Sequence, residues 1–67
     1  MPLSARNRLR GKIQDVRLGD IMAHVTVKVG KATVESVITR RSAEFLKLKK
    51  GNTVDVVVKA TEVMIEK

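Results

Sequence analysis

The stretch from Ile21 to Val29, IMAHVTVKV, alternates throughout, with Ile21, Ala23, Val25, Val27 and Val29 on one side and Met22, His24, Thr26 and Lys28 on the other. Side chains repeat every two residues in a β-strand, so this segment reads as a strand with one apolar face buried and one polar face in water. Gly19-Asp20 precedes it and Gly30-Lys31 follows it, both of them turn pairs. Working outward, Ala32 to Thr39 forms the next strand. Leu9 to Leu18 (LRGKIQDVRL) is the previous one, with an alternation that slips between Ile13 and Val16 as a β-bulge makes it slip. Three strands joined by short hairpins predict a meander.

Beyond the meander the period changes. In Thr39 to Leu48 (TRRSAEFLKL), Ala43, Leu46 and Phe45 gather on one helical face, with Thr39 or Ser42 as the N-cap, which predicts a helix of two turns. Lys47, Lys49 and Lys50 suit the negative end of that helix, and Gly51 supplies a left-handed stop. Thr53 to Ile65 (TVDVVVKATEVMI) reads as two further strands around Lys59-Ala60-Thr61. The expected fold is all-β: an OB-like five-stranded barrel with one short helix before the last strands.

A chain of 67 residues has room for one domain, residues 1–67. A domain of this size buries only about 60% of the surface its unfolded chain exposes, and it commonly gains support from a disulfide, a metal or a partner. With no cysteine and a single His24, disulfides and thiolate or multi-histidine metal sites are excluded, so self-association is the expected support. Fourteen Lys and Arg against seven Asp and Glu give a formal charge of +7, which points to an anionic partner. Single-stranded nucleic acid is a poor fit, because its bases stack on aromatic rings and Phe45 is the sole aromatic residue. No apolar run approaches the roughly 7–15 residues of a signal-peptide core, so the expectation is a soluble, cytoplasmic protein without membrane contact.

Two segments stand apart from the alternating strands by gathering hydroxyls, cations and accessible backbone: Ser4-Ala5-Arg6-Asn7 and Lys59-Ala60-Thr61. A tetrahedral dianion has only acceptor oxygens and needs a site made of donors: an Arg fork, a Lys ammonium, hydroxyls and free N–H groups. The small Ala5 and Ala60 let backbone N–H groups approach an oxyanion closely. Thr39, where the third strand meets the helix, adds a hydroxyl. By spacing alone the two segments read more readily as a chain terminus and a turn than as a site.

The opening SARNRLRG, the central TVESVITRRSAEFLKLKKG and the closing VDVVVKATEVMI resemble the molbindin (Mop) family, small molybdate-binding proteins with a TOBE/Mop-type domain. The similarity runs along essentially the whole chain, and its diagnostic pieces are SARN, Ile38 to Ser42 (ITxxS) and KATEVM, in that order. The resemblance implies an OB-like barrel assembled as a hexamer, a trimer of dimers, that binds molybdate or tungstate between subunits without turnover. It also implies Ser4, Arg6, Thr39, Lys59 and Thr61 as ligand donors, with Ala5 and Ala60 contributing backbone. No organic cofactor and no direct coordination of a metal by protein atoms is expected. Thr61 stands where many relatives carry Ser and keeps the hydroxyl.

Other chemistry finds no footing. The carboxylates are scattered without a paired spacing, and Ser4 has no base beside it in sequence, so an enzyme is not expected. The run Lys47 to Lys50 reads as solvated charge, and His24 as a surface residue of the second strand. The alternative to oxyanion storage and homeostasis is a basic OB-fold module that binds nucleic acid, whose affinity would fall steeply with salt.

Overall fold

Strand β1, Asn7–Leu18, is the spine of the molecule, because its two halves pair with different partners. The computed structural model describes residues 6–67. The second half of β1 runs antiparallel to β2, Met22–Val29, from Lys12 opposite Lys28 to Leu18 opposite Ala23. Its first half runs antiparallel to β4, Thr53–Val58, from Asn7 opposite Val58 to Lys12 opposite Thr53. Strand β3, Ala32–Thr39, completes a sheet of order β3-β2-β1-β4. The pairing register shifts between Ile13 and Asp15, where the sequence predicts the bulge.

Gly11 and Gly30 are fixed by backbone demands. A Cβ on Gly11 would lie 2.5 Å from the Lys28 carbonyl oxygen, so only a residue without a side chain lets β1 cross β2 at this point. Gly30 opens the two-residue hairpin with φ +59°, while Lys31 keeps negative φ, as the II′ class of turn requires.

The inner face of the sheet carries the core. Ile13, Val25 and Val27 are buried together, with Val16, Val29, Ile38, Leu48, Val54 and Val56 packed against them. Ala23, Val25 and Val27 follow the alternation read from the sequence, but Ile21 lies ahead of β2 and is 75% exposed.

The helix is shorter than its pattern predicts. Helix α1 spans Arg40–Phe45, capped by Thr39, whose hydroxyl accepts the Ser42 N–H at 3.1 Å. It ends before Gly51 because Lys47 already takes the left-handed conformation, with φ +53°, and Gly51, at φ +94°, makes a second positive-φ turn after the helix. The Lys47 N–H donates to the Glu44 carbonyl and the Leu48 N–H to the Ala43 carbonyl, the paired bonds of a Schellman stop. The chain therefore reverses after Leu46. Ala43 is buried and Leu48 reaches the core, whereas Phe45 is 83% exposed and Leu46 also faces outward, contrary to the helical face drawn from the sequence.

The all-β class and the place of the helix agree with the sequence reading, but among the described residues four strands form where five are expected, and the barrel stays open. After β4 the chain enters a 3-10 turn, Ala60–Glu62, and Val63, Met64 and Ile65 follow without a ladder partner among the described residues. Their apolar pattern gives strand propensity; it does not supply an edge to pair with.

Candidate anion-binding site

The pairing of β1 with β4 joins residues from the two ends of the sequence. Asn7 stands opposite Val58, and its side-chain amide donates to the Val58 carbonyl at 3.2 Å. That clamp bridges 51 positions of sequence and brings Arg6 beside Lys59. The sequence reading gave Asn7 no role of its own, although it sits inside the SARN motif.

Arg6, Lys59, Ala60 and Thr61 together line a shallow cleft of about 240 Å³. All four are exposed, and among the described residues no carboxylate lines the cleft. Lys59 enters the 3-10 turn with extended backbone and no side-chain cap. The first N–H groups of such a turn have no acceptor within it, so the turn presents backbone donors beside the ammonium and the hydroxyl. Cations, a hydroxyl and free N–H groups without an opposing acid make a surface suited to an oxyanion.

Thr39 lies elsewhere. It lines a separate cleft of about 570 Å³ with Asp20, Ile21, Arg40, Arg41 and Glu44. Its hydroxyl hydrogen is engaged, donating to the Ser42 hydroxyl oxygen at 2.8 Å while the same oxygen caps the helix. Arg40 is engaged as well: its Nε donates to Glu44 at 3.3 Å and its Nη1 to the Gly19 carbonyl at 3.1 Å. With Asp20 and Glu44 in its wall, this larger cleft opposes a dianion more than the Arg6–Lys59 cleft does. Ser4 and Ala5 lie outside the described residues. One chain thus brings Arg6, Lys59, Ala60 and Thr61 together and holds Thr39 in a different cleft.

Among the described residues no cluster of His, Cys, Asp and Glu is arranged to hold a metal ion, and no helix is long and apolar enough to cross a membrane.

The model of the TOBE domain matches residues 3–65. Molybdenum-pterin-binding protein 3 of Clostridium pasteurianum is 41% identical over 66 residues, 97% of each chain. The structure of a molybdate-binding protein from Sporomusa ovata superimposes with a TM-score of 0.95 at 31% identity, covering 100% of both chains. The cytoplasmic molybdate-binding protein ModG, solved with molybdate bound, matches 90% of this chain and 43% of its own length, with a TM-score of 0.82 at 33% identity.

Proposed function

The chain belongs to the TOBE-domain family, and on that premise we propose that it binds molybdate in the cytoplasm, for storage and homeostasis, at sites shared between copies of itself. The observation that carries this reading is the cleft of Arg6, Lys59, Ala60 and Thr61, composed of donors and free of carboxylates. The molybdate-binding relatives and structural neighbours favour molybdate over other oxyanions, and tungstate, of the same charge and shape, is the second ligand. The site binds its anion without turnover and needs no organic cofactor.

A donor-only site selects among tetrahedral anions by protons and by size. Phosphate carries a proton at neutral pH, and a P–OH buried without an acceptor costs about 1–3 kcal/mol. Sulfate is free of protons, but its shorter oxygen reach leaves some donors beyond good hydrogen-bond distance. Rigid spacing of the donors is therefore the basis of selectivity.

Two features support a shared site. Thr39 and the Arg6–Lys59 pair occupy different clefts of one chain, so a second copy is the simplest means of bringing both to one anion, together with Ser4 and Ala5. In addition, Val63 is 48%, Met64 93% and Ile65 89% exposed in a single chain, an apolar segment without a ladder partner among the described residues that association would cover. We assign the assembly as a hexamer built from three dimers.

Native mass spectrometry with and without molybdate tests this reading, since it measures assembly size and bound anions together. A hexamer that gains mass in molybdate increments is the expected result. A monomer that takes up no anion overturns it.

A further inference from the structure

The outer face of the sheet carries a line of cations that leads to the cleft. Along the first half of β1 the two-residue period places Arg8, Arg10 and Lys12 on the face opposite the buried Ile13, and Arg6 continues the same period just before the strand. Successive members stand about 6.8 Å apart along an antiparallel strand. That spacing lies inside the roughly 8 Å screening length at physiological salt, so neighbouring fields overlap into one positive strip where an isolated charge about 20 Å away would be screened. At the far end Lys12 stands directly opposite Lys28, and neither is ion-paired among the described residues. Like charges directly opposed across two strands cost stability, so the fold gains nothing from this pair. Asp55 lies among these cations, 3.2 Å from the Arg10 Nε and 3.9 Å from an Arg8 Nη1, while Asp15, past the bulge beyond Lys12, pairs with Arg17 at 3.1 Å.

We infer that Arg8, Arg10, Lys12 and Lys28 form an electrostatic guide that speeds the capture of the oxyanion at the Arg6–Lys59 cleft, with Asp55 as its brake. The inference rests on the oxyanion-binding reading above. A strip of one sign raises the local concentration of an oppositely charged ligand and so acts on the association rate, whereas the groups that touch the ligand set its dissociation rate. The four residues are therefore rate-determining for entry and make no contact with the bound anion.

The test measures molybdate affinity by calorimetry and the dissociation rate after dilution, and takes the association rate from the two. In low salt, Arg8→Gln and Lys12→Gln each slow association by about twofold to fivefold, a modest share of the steering range, and leave dissociation unchanged. Asp55→Asn speeds association. Lys47→Gln removes the same charge beyond α1, which packs on β2 and β3, and has no effect. In about 1 M salt, where the screening length falls to about 3 Å, the differences vanish. Unchanged association in the Arg8 and Lys12 variants overturns the guide, as does equal slowing by Lys47→Gln, which would mean that net charge alone matters. Wild-type protein that binds no molybdate overturns the oxyanion reading and the guide together.

Discussion

Gly11 lies so close to Lys28 that a Cβ placed on it stands 2.5 Å from the Lys28 carbonyl oxygen and 2.8 Å from methyl groups of Val27 and Val29. The nearest obstacle is backbone, which cannot swing aside as a side chain does. Gly11→Ala therefore forces β1 and β2 apart where Lys12 and Lys28 also repel each other. Overpacking of this kind costs about 1–3 kcal/mol, and a domain of this size loses about 4–8 °C of Tm for each kcal/mol. Thermal unfolding of the variant checks it, and an unchanged Tm refutes the steric argument.

Thr39 is a cap before it is anything else. Its hydroxyl accepts the Ser42 N–H, so Thr39→Ala lowers stability by about 1 kcal/mol in molybdate-free buffer, and Thr39→Ser restores most of the loss. Urea unfolding of the three proteins measures both effects. If Thr39→Ser is as unstable as Thr39→Ala, the hydroxyl is not the source of the stability.

Lys47 holds a left-handed conformation that favours glycine. Lys47→Gly relieves that strain while keeping the backbone bonds to Glu44 and Ala43. A net gain of about 0.5–1 kcal/mol remains after the added freedom of the unfolded chain is counted. A loss of stability in the same unfolding assay contradicts this account of how α1 ends.

Lys59 and Asn7 test the site from two sides. If Lys59 donates to the anion as proposed, Lys59→Gln removes a charge-assisted bond of about 1.5–3 kcal/mol and weakens molybdate binding by about tenfold to a hundredfold, with little change in ligand-free stability. Asn7→Ala removes the clamp on Val58 and reduces both stability and affinity. Calorimetric titration paired with thermal unfolding separates the two patterns. An Asn7→Ala protein that is less stable but binds normally would show that the clamp does not position the cleft.

Met64 is 93% exposed in the single chain. A charge there obstructs any surface that covers the Val63–Ile65 segment, so Met64→Glu shifts the protein toward smaller species in sedimentation. The ligand-free helix and sheet signals in circular dichroism stay the same. An assembly of unaltered size assigns the interface elsewhere.

The strands were legible where burial has a local signature. Val25 and Val27 alternate with Thr26 and Lys28 because β2 has one wet and one dry face, and that contrast is written in the residues themselves. The slip after Ile13 announced the bulge in the same way. Phe45 misled for a complementary reason: two residues from Ala43 is about 200° around a helix, so within α1 the buried Ala43 turns Phe45 to the opposite, exposed side, whatever its hydrophobicity. Nothing local marks Lys47, a lysine in a conformation usually given to glycine, as the stop.

By itself the sequence determined the β class, the order of the elements, the place of the helix and the donor chemistry of Arg6, Lys59 and Thr61, since each follows from residue type and short-range period. Only the tertiary structure decided which of them meet. Arg6 and Lys59 share a cleft because β1 and β4 pair in the register that sets Asn7 against Val58, and Thr39 falls in another cleft because β3 lies on the far side of β2. The segment from Val63 to Ile65 finds no strand partner among the described residues for the same reason. Pairing between distant segments depends on register and free edges, which are properties of the assembled sheet and of no single stretch of residues.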